Sequence, residues 1–298
     1  MNAAGPILVI LAAGLGRRFG GDKQLAGLGP GGEWLIEYAI HDALAAGFTR
    51  IVLVIRAELR GALAQRLAPH IGSRADIAFV EQTLSCVPAG CRPSAARRKP
   101  LGTGHALWCC RDVLDRPFAV INADDYYGAA AFSLLAGHFV RAHGPAMVGY
   151  RLGRTLSAHG GVNRGLCALD DRGDLAGIVE YTDIRVDAGR LGGLDVRNAR
   201  QPLAAEAIVS LNCWGLLPDL LPTLETGLRD FLAGAGDDDE YFLPAAIDRY
   251  LAANGRRLRV LDSRDDWLGV TYPADADAVA ARLAALHAVG RYPPHLWG

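Results

Sequence analysis

The stretch Ile7-Leu8-Val9-Ile10-Leu11-Ala12-Ala13-Gly14-Leu15-Gly16-Arg17-Arg18-Phe19-Gly20-Gly21-Asp22-Lys23-Gln24-Leu25 decides the fold. Ile7–Leu11 is a continuous apolar run without alternation, which marks a buried strand. It is too short to span a bilayer and has no basic residue before it, so it does not read as a signal segment. The glycines that follow let backbone N–H groups approach phosphate oxygens with no Cβ in the way. The same loop carries Arg18, whose guanidinium can fork two oxygens, and Lys23, a point charge. Gly14-x-Gly16 alone says only that phosphate is bound. It lacks the third glycine of a dinucleotide fingerprint and the Gly-Lys-Ser/Thr ending of a P-loop.

Outward from this segment, strand and helix patterns alternate. Helical spacing over Glu33–Ala46, stopping at Gly47, is followed by a strand at Ile51–Ile55, a helix at Ala57–Leu67 and a strand at Ile77–Val80. His105–Leu114 reads as a helix, Phe118–Asn122 as a strand, Ala129–Ala142 as a helix and Ala146–Tyr150 as a strand. This order predicts an α/β fold with a mostly parallel sheet and helices on both faces. Beyond residue 150 the pattern loosens. Gly161–Leu169 and Leu175–Thr182 read as strands paired around the turn at 171–174, and Ile208–Leu216 as another. Helices are expected at Pro218–Leu232, Tyr241–Ala253 and Pro273–Leu286, and short strands at Leu258–Leu261 and Trp267–Thr271. The acidic run Asp237–Glu240 reads as a solvated loop or a helix start. Leu84–Pro100 breaks the rhythm with three prolines, two cysteines and the cluster Arg97-Arg98-Lys99. Such a stretch is either a functional loop or a disordered surface insertion.

Composition narrows the function classes. The 298 residues carry a formal net charge of −1, so nothing argues for nucleic acid as a partner. No long apolar run follows the first strand, so a membrane is not expected and the cytoplasm is. The six cysteines form no C-x-x-C pair and read as reduced thiols packed as small hydrophobes. There is no H-E-x-x-H and no G-x-S-x-G.

Leu11-Ala12-Ala13-Gly14-x-Gly16-x-Arg18 followed by Lys23-Gln24-Leu25 resembles the signature of the nucleotide-sugar pyrophosphorylases, also called sugar-phosphate nucleotidyltransferases. Three further segments occur in that family's order. Gln82 follows the third strand, where a family glutamine pairs with a pyrimidine base. Leu101-Gly102-Thr103-Gly104-His105-Ala106 is similar to a stretch of the uridylyltransferases whose Gly-Thr backbone closes on the base. Asp124, in Asn122-Ala123-Asp124-Asp125, ends the fourth strand where the family has its metal-binding aspartate; strand ends of this kind bind ligands in open α/β sheets. Asp125 either supports it, touches the substrate or makes a turn.

The resemblance is strong over residues 7–128 and weak to about 272. It implies a Rossmann-like single domain, residues 1–298. Residues 1–150 are the nucleotide-binding half. Residues 151–298 form a smaller mixed β/α acceptor-binding lobe. Glu180 matches the glutamate of an E-K-P stretch that contacts the sugar, but Tyr181 and Thr182 replace the Lys and Pro. Gly269, in Trp267-Leu268-Gly269-Val270-Thr271, stands where many members have a second metal aspartate. Asn212 or Asn163 could serve instead, or could bond local backbone in turns. Nothing after Thr271 resembles the hexapeptide-repeat domain of the bifunctional acetyltransferase–uridylyltransferases, so acetyl transfer is not expected.

The implied reaction is in-line attack of a small phosphorylated acceptor on the α-phosphorus of a nucleoside triphosphate, UTP first, with pyrophosphate leaving. Backbone amides of Ala13–Gly16 would hold the triphosphate, Arg18 the leaving phosphates, Lys23 the α-phosphate and the acceptor, and Asp124 a Mg²⁺ ion. Gln82 and Gly102 would read the base. Two other readings share the segment. One is a phosphocholine cytidylyltransferase, with Tyr126, Tyr127, Tyr181, Trp214 and Glu180 around a quaternary amine. The other is a non-catalytic nucleotide-binding regulator. Homo-oligomerisation is left open.

Overall fold

In the computed structural model the described residues are 4–14, 27–142 and 144–297. In chain order the elements are β1 Ile7–Leu11, α1 Leu35–Ala45, β2 Arg50–Ile55, α2 Arg60–Ile71, β3 Asp76–Glu81, α3 Thr103–Cys109, β4 Phe118–Asn122, β5 Asp125–Tyr126, α4 Ala129–Arg141 and β6 Ala146–Arg151. They continue with β7 Val162–Leu169, β8 Leu175–Asp187, β9 Arg190–Leu194, β10 Arg200–Pro202, β11 Ile208–Leu216, α5 Leu221–Gly234, α6 Leu243–Asn254, β12 Arg259–Asp262, β13 Leu268–Gly269 and α7 Asp275–Ala288. The α/β class and the run of parallel strands expected from the alternation are borne out.

Two compact units divide these elements. The first comprises residues 1–14, 48–120 and 215–257. Its strands run in the order β4–β1–β2–β3, with β1–β2 and β2–β3 parallel. Ile7–Ile10 and Ile51–Ile55 are wholly buried, as the unbroken apolar runs require. On α2, Leu63, Leu67 and Ile71 recur at helical spacing and are the residues buried. β1 ends as the Ala12 N–H donates to the Val54 carbonyl, at 2.8 Å, and Ala12 and Ala13 pack inside.

The stretch 84–100 forms no helix or strand, yet it is tied into this unit. Arg97 is 3% exposed. Its guanidinium donates to the carbonyls of Lys99, Pro100, Gly236 and Asp239. Lys99 pairs with Asp238 at 2.6 Å, and Arg229 donates to the Ala89 carbonyl at 2.8 Å. The basic cluster and the acidic run are thus two sides of one joint. The fork geometry of Arg is what lets one side chain satisfy four carbonyls.

The second unit comprises residues 15–47, 121–214 and 258–298. Antiparallel pairing runs β10–β9–β8–β7–β11; β6 lies beside β11, and β12 pairs parallel with β6. β8 continues to Asp187, past the expected end at Thr182, and pairs with β9, which the sequence pattern did not show. The Trp267–Thr271 strand shrinks to β13, which pairs with β5. α1, β5, α7 and the segment after it share an apolar cluster of Leu35, Tyr38, Tyr126, Val270, Val279, Leu283, Tyr292 and Leu296. Inside it the Tyr292 hydroxyl donates to Asp42 at 2.7 Å and meets the Tyr126 hydroxyl at 2.9 Å. Among the described residues no helix is long and apolar enough to cross a membrane.

Arg97→Ala is expected to leave four carbonyls short of a donor and to cost about 3 kcal/mol, since hydrogen bonds to charged groups are the strong ones. Urea midpoints of wild type and variant measure this; an unchanged midpoint would show that the joint contributes nothing.

Candidate functional site

In the first unit, Leu11, Ala12, Ala13 and Gly14 carry the chain off the end of β1, with Gly14 exposed. Gly16, Arg18 and Lys23 lie outside the described residues. Across β2, the Gln82 N–H donates to the Ile55 carbonyl at 2.9 Å, which sets Gln82 just past β3.

The Gln82 side chain is fixed by two bonds. Its amide nitrogen lies 2.9 Å from the Gly102 carbonyl and 3.1 Å from His105 Nδ1. His105 Nε2 in turn lies 2.7 Å from the Cys86 carbonyl. A carbonyl only accepts, so Nε2 carries the imidazole proton and Nδ1 is the acceptor. The Gln82 NH₂ therefore donates twice, and its oxygen serves neither bond. Burial, with the Arg97 charge a smaller contributor, lowers the His105 pKa to about 4 and keeps the ring neutral.

Gly102 precedes α3 with φ of +100°. A Cβ there would stand 2.7 Å from the Tyr241 carbonyl oxygen. Only glycine combines that dihedral with that approach. Tyr241 binds both flanks: its N–H donates to Leu101 O at 2.7 Å and its carbonyl accepts from the Gly104 N–H at 2.8 Å. The Thr103 hydroxyl accepts from the Leu243 N–H at 2.9 Å, at the start of α6. The Thr103 side chain is thus occupied by the protein.

In the second unit, Asp124 is half-buried in the turn between β4 and β5. Asp125 is buried; Asn122 Nδ2 donates to its Oδ2 at 2.9 Å, and the Tyr127 hydroxyl lies 3.1 Å from the same oxygen. Gly269 pairs with Asp125 across β5–β13. A Cβ at Gly269 would collide with the Trp267 ring, so the position assigned to a second carboxylate is filled by indole.

Arg164 is the residue that sequence reasoning missed. It lies on β7, 8% exposed, with its guanidinium carbon 4.7 Å from the centre of the Trp267 ring. It donates to Thr155 Oγ1 at 3.2 Å, to Thr155 O at 2.6 Å and to Asn163 O at 2.8 Å. Burial lowers its pKa, while Asp125 and Glu180 favour its charge. Glu180 lies opposite Gly165, and a Cβ there would stand 2.9 Å from Glu180 Oε1. Burial raises the Glu180 pKa and Arg164 pulls it back. Trp267 Nε1 is a buried donor with no partner among the described residues. The available signal was the two-residue alternation that puts Arg164 on a buried face of its strand.

The asparagines differ. Asn163 is exposed at the irregularity between Val162 and Arg164, and its Oδ1 accepts from the Asp183 N–H at 3.2 Å. Asn212 sits within β11 at φ +58°, with Trp214 Nε1 3.4 Å from its Oδ1. Left-handed backbone in a strand suits Asn or Gly and concentrates at ligand sites.

Residues 8–113 match the MobA-like NTP transferase domain, which bears out the resemblance read from the glycine-rich segment. Over 142 residues, 44% of the chain, it is 32% identical to the bifunctional protein GlmU of Corynebacterium efficiens. That match spans about a quarter of the relative's length (25%). The fold is similar to that of the inositol-1-phosphate CTP transferase from T. maritima, with TM-score 0.62 and 13% identity over 95% of this chain and 98% of that one. It is also similar to a UDP-glucose pyrophosphorylase complexed with UDP-glucose, with TM-score 0.60 and 17% identity over 93% and 97%.

Gly102→Ala should force Tyr241 away and abolish nucleotide binding in calorimetry; binding at wild-type affinity would refute the close approach. For His105, the folded pKa of about 4 lies below the ordinary 6.5, so the unfolded chain takes the proton first. Its contribution is complete above pH ~6.5 and is lost as the pH falls toward 4. Denaturation midpoints of wild type should therefore fall more steeply through that window than those of His105→Gln.

Proposed function

We propose that this chain transfers a nucleotidyl group from a nucleoside triphosphate, UTP first, to a sugar 1-phosphate, giving a nucleotide sugar and pyrophosphate. The observation that carries the reading is the Gln82 amide, held by Gly102 and His105 so that its oxygen serves neither bond. It does so within the stretch that matches an NTP transferase domain. A fixed acceptor suits the N–H groups on a pyrimidine edge: N3–H of uracil or thymine, or the amino group of cytosine. Uridine is preferred because Leu101–Ala106 is similar to the uridylyltransferase stretch.

The chemistry needs positioning and charge neutralisation rather than a covalent intermediate. The amides that follow β1 hold the triphosphate, Arg18 neutralises the leaving phosphates, and Lys23 holds the α-phosphate against the acceptor phosphate. That phosphate is already ionised near neutral pH, so no general base is required. Mg²⁺ takes carboxylate and phosphate oxygens, and the carboxylate of Asp124 fits that donor chemistry. Asp124 would hold the ion, which when bound neutralises phosphate charge. Asp125 Oδ2 accepts from Asn122 and from the Tyr127 hydroxyl, which gives that carboxylate a supporting place beside Asp124.

Around Glu180 the groups favour an anionic acceptor. Arg164 supplies a fixed cation, and the buried Trp267 N–H gains a partner if an acceptor oxygen or water reaches it. Tyr126, Tyr127 and Trp214, which a quaternary amine would need, are buried.

Pyrophosphate release should be assayed with UTP, dTTP and CTP against sugar 1-phosphates and phosphocholine. The expected best pair is UTP with a sugar 1-phosphate. Lys23→Ala and Asp124→Ala should each lower turnover by orders of magnitude. If both variants kept wild-type turnover, the site assignment would be wrong. Nucleotide binding with no pyrophosphate from any acceptor would identify a regulator instead. Asn212→Gly preserves the backbone at φ +58° and should raise KM for the acceptor while leaving that for the nucleotide.

A further inference from the structure

Two thiols and an imidazole lie together beside the Gln82 amide. The ligand atoms of Cys86, His105 and Cys109 all fall within 4.8 Å of one another. Metal binding and thiol oxidation both use such clusters, and the hydrogen bonds separate them. His105 Nε2–H is donated to the Cys86 carbonyl and Nδ1 accepts from Gln82, so neither nitrogen offers a metal its lone pair. That leaves the thiols.

The two are unlike. Cys86 is partly exposed and receives an Arg111 N–H at 3.4 Å. Cys109 is buried, on α3, with its sulfur 3.7 Å from His105 Nε2. The hydrogen bond from Cys109, and after it the Arg111 bond and charge, hold Cys86 below the ordinary thiol range despite partial burial. The same shared bond, then burial, push Cys109 up. A partly exposed thiol beside a cation, with a buried thiol in reach, is the arrangement of an attacking and a resolving cysteine.

We infer that Cys86 and Cys109 form a disulfide when the protein meets a peroxide. The Cys86 thiolate attacks one peroxide oxygen, the O–O bond breaks and hydroxide leaves, so sulfur is oxidised to the sulfenic acid and the peroxide is reduced. The Cys109 sulfur then attacks the Cys86 sulfur. The S–O bond breaks, the S–S bond forms, and the departing hydroxide takes the Cys109 proton as water. The bond draws Cys86 toward α3. Because the Cys86 carbonyl holds His105, and His105 holds Gln82, closure disturbs the amide; this consequence rests on the base-reading role proposed above.

The test is peptide mass mapping of the full chain after treatment with hydrogen peroxide. The expected product is a Cys86–Cys109 cross-linked peptide pair, two hydrogens lighter than the free thiols and restored by dithiothreitol. In Cys109→Ser, Cys86 should stop at sulfenic acid and be trapped by dimedone. Cys91 and Cys167, also partly exposed, are the internal controls. Oxidation of Cys91 or Cys167 ahead of Cys86, or Cys86 passing to sulfinic acid in the wild type without a cross-link, would overturn the proposal. Zinc retained by the reduced protein and lost in Cys86→Ser would overturn it too. UTP affinity measured before and after oxidation should fall at least tenfold. Unchanged affinity in a cross-linked protein would remove the regulatory consequence. If the reduced protein bound no UTP, the nucleotide reading would fail, while the cross-link would stand or fall on its own mass.

Discussion

At Gly102 the backbone passes so near the Tyr241 carbonyl that a Cβ would stand 2.7 Å from its oxygen, and the orientation of the Gln82 amide depends on that approach. With the chain held there, the Gly102 carbonyl meets both the Ala106 N–H, at 3.0 Å, and the Gln82 amide, at 2.9 Å. One oxygen with two lone pairs thereby starts a helix and fixes a side chain outside it. Tyr241 is held by Leu101 and Gly104, and the segment before it is held by Arg97. Distant stretches of sequence thus converge on one amide. A glutamine on a flexible loop would present oxygen and nitrogen alternately; here the donors are committed and the acceptor is left.

Legibility in the sequence followed the range of the interactions. β1, β2 and β3 were readable because a buried parallel strand is an unbroken apolar run, a local property. β9 was not, since Arg190-Leu191-Gly192-Gly193-Leu194 has neither alternation nor β-branched content; it exists because β8 offers it an edge. The 84–100 stretch left two readings open. What ties it down, Arg97 to the carbonyls of Gly236 and Asp239, spans more than a hundred residues. Gln82 and Gly102 were legible as types but not as partners. His105 was visible as a motif and helix residue with no role of its own, although the Gln82 orientation depends on its tautomer. The glycine-rich loop carried the clearest sequence signal, with Gly16, Arg18 and Lys23 inside it, and those three lie outside the described residues.

The surroundings of Arg164, in the second unit, are built on a different principle. A buried guanidinium is costly to desolvate, and Arg164 offsets this with three hydrogen bonds to Thr155 and Asn163, a stacked indole and two nearby carboxylates. Held in this way it is a rigid positive charge. Its charge lies on the strand beside Tyr181, where the resemblance implies a lysine. That placement could not be read from the motif, because the charge lies on the neighbouring strand: Arg164 pairs with Tyr181 across β7–β8. Cross-strand neighbours share a face, so a charge moved from one strand to its partner remains on the same side of the sheet.

This also accounts for the glycine at 269. A side chain there would displace the Trp267 ring, and with it the surface on which Arg164 stacks. Its Cβ would also stand 3.1 Å from Asp125 Oδ1, so a carboxylate at 269 would set two negative groups together. Glycine at 269, tryptophan at 267 and arginine at 164 are therefore one arrangement. Restoring the aspartate alone would remove the stacking that supports the cation. The side chain at 269 and the buried arginine are thus coupled through the indole they share.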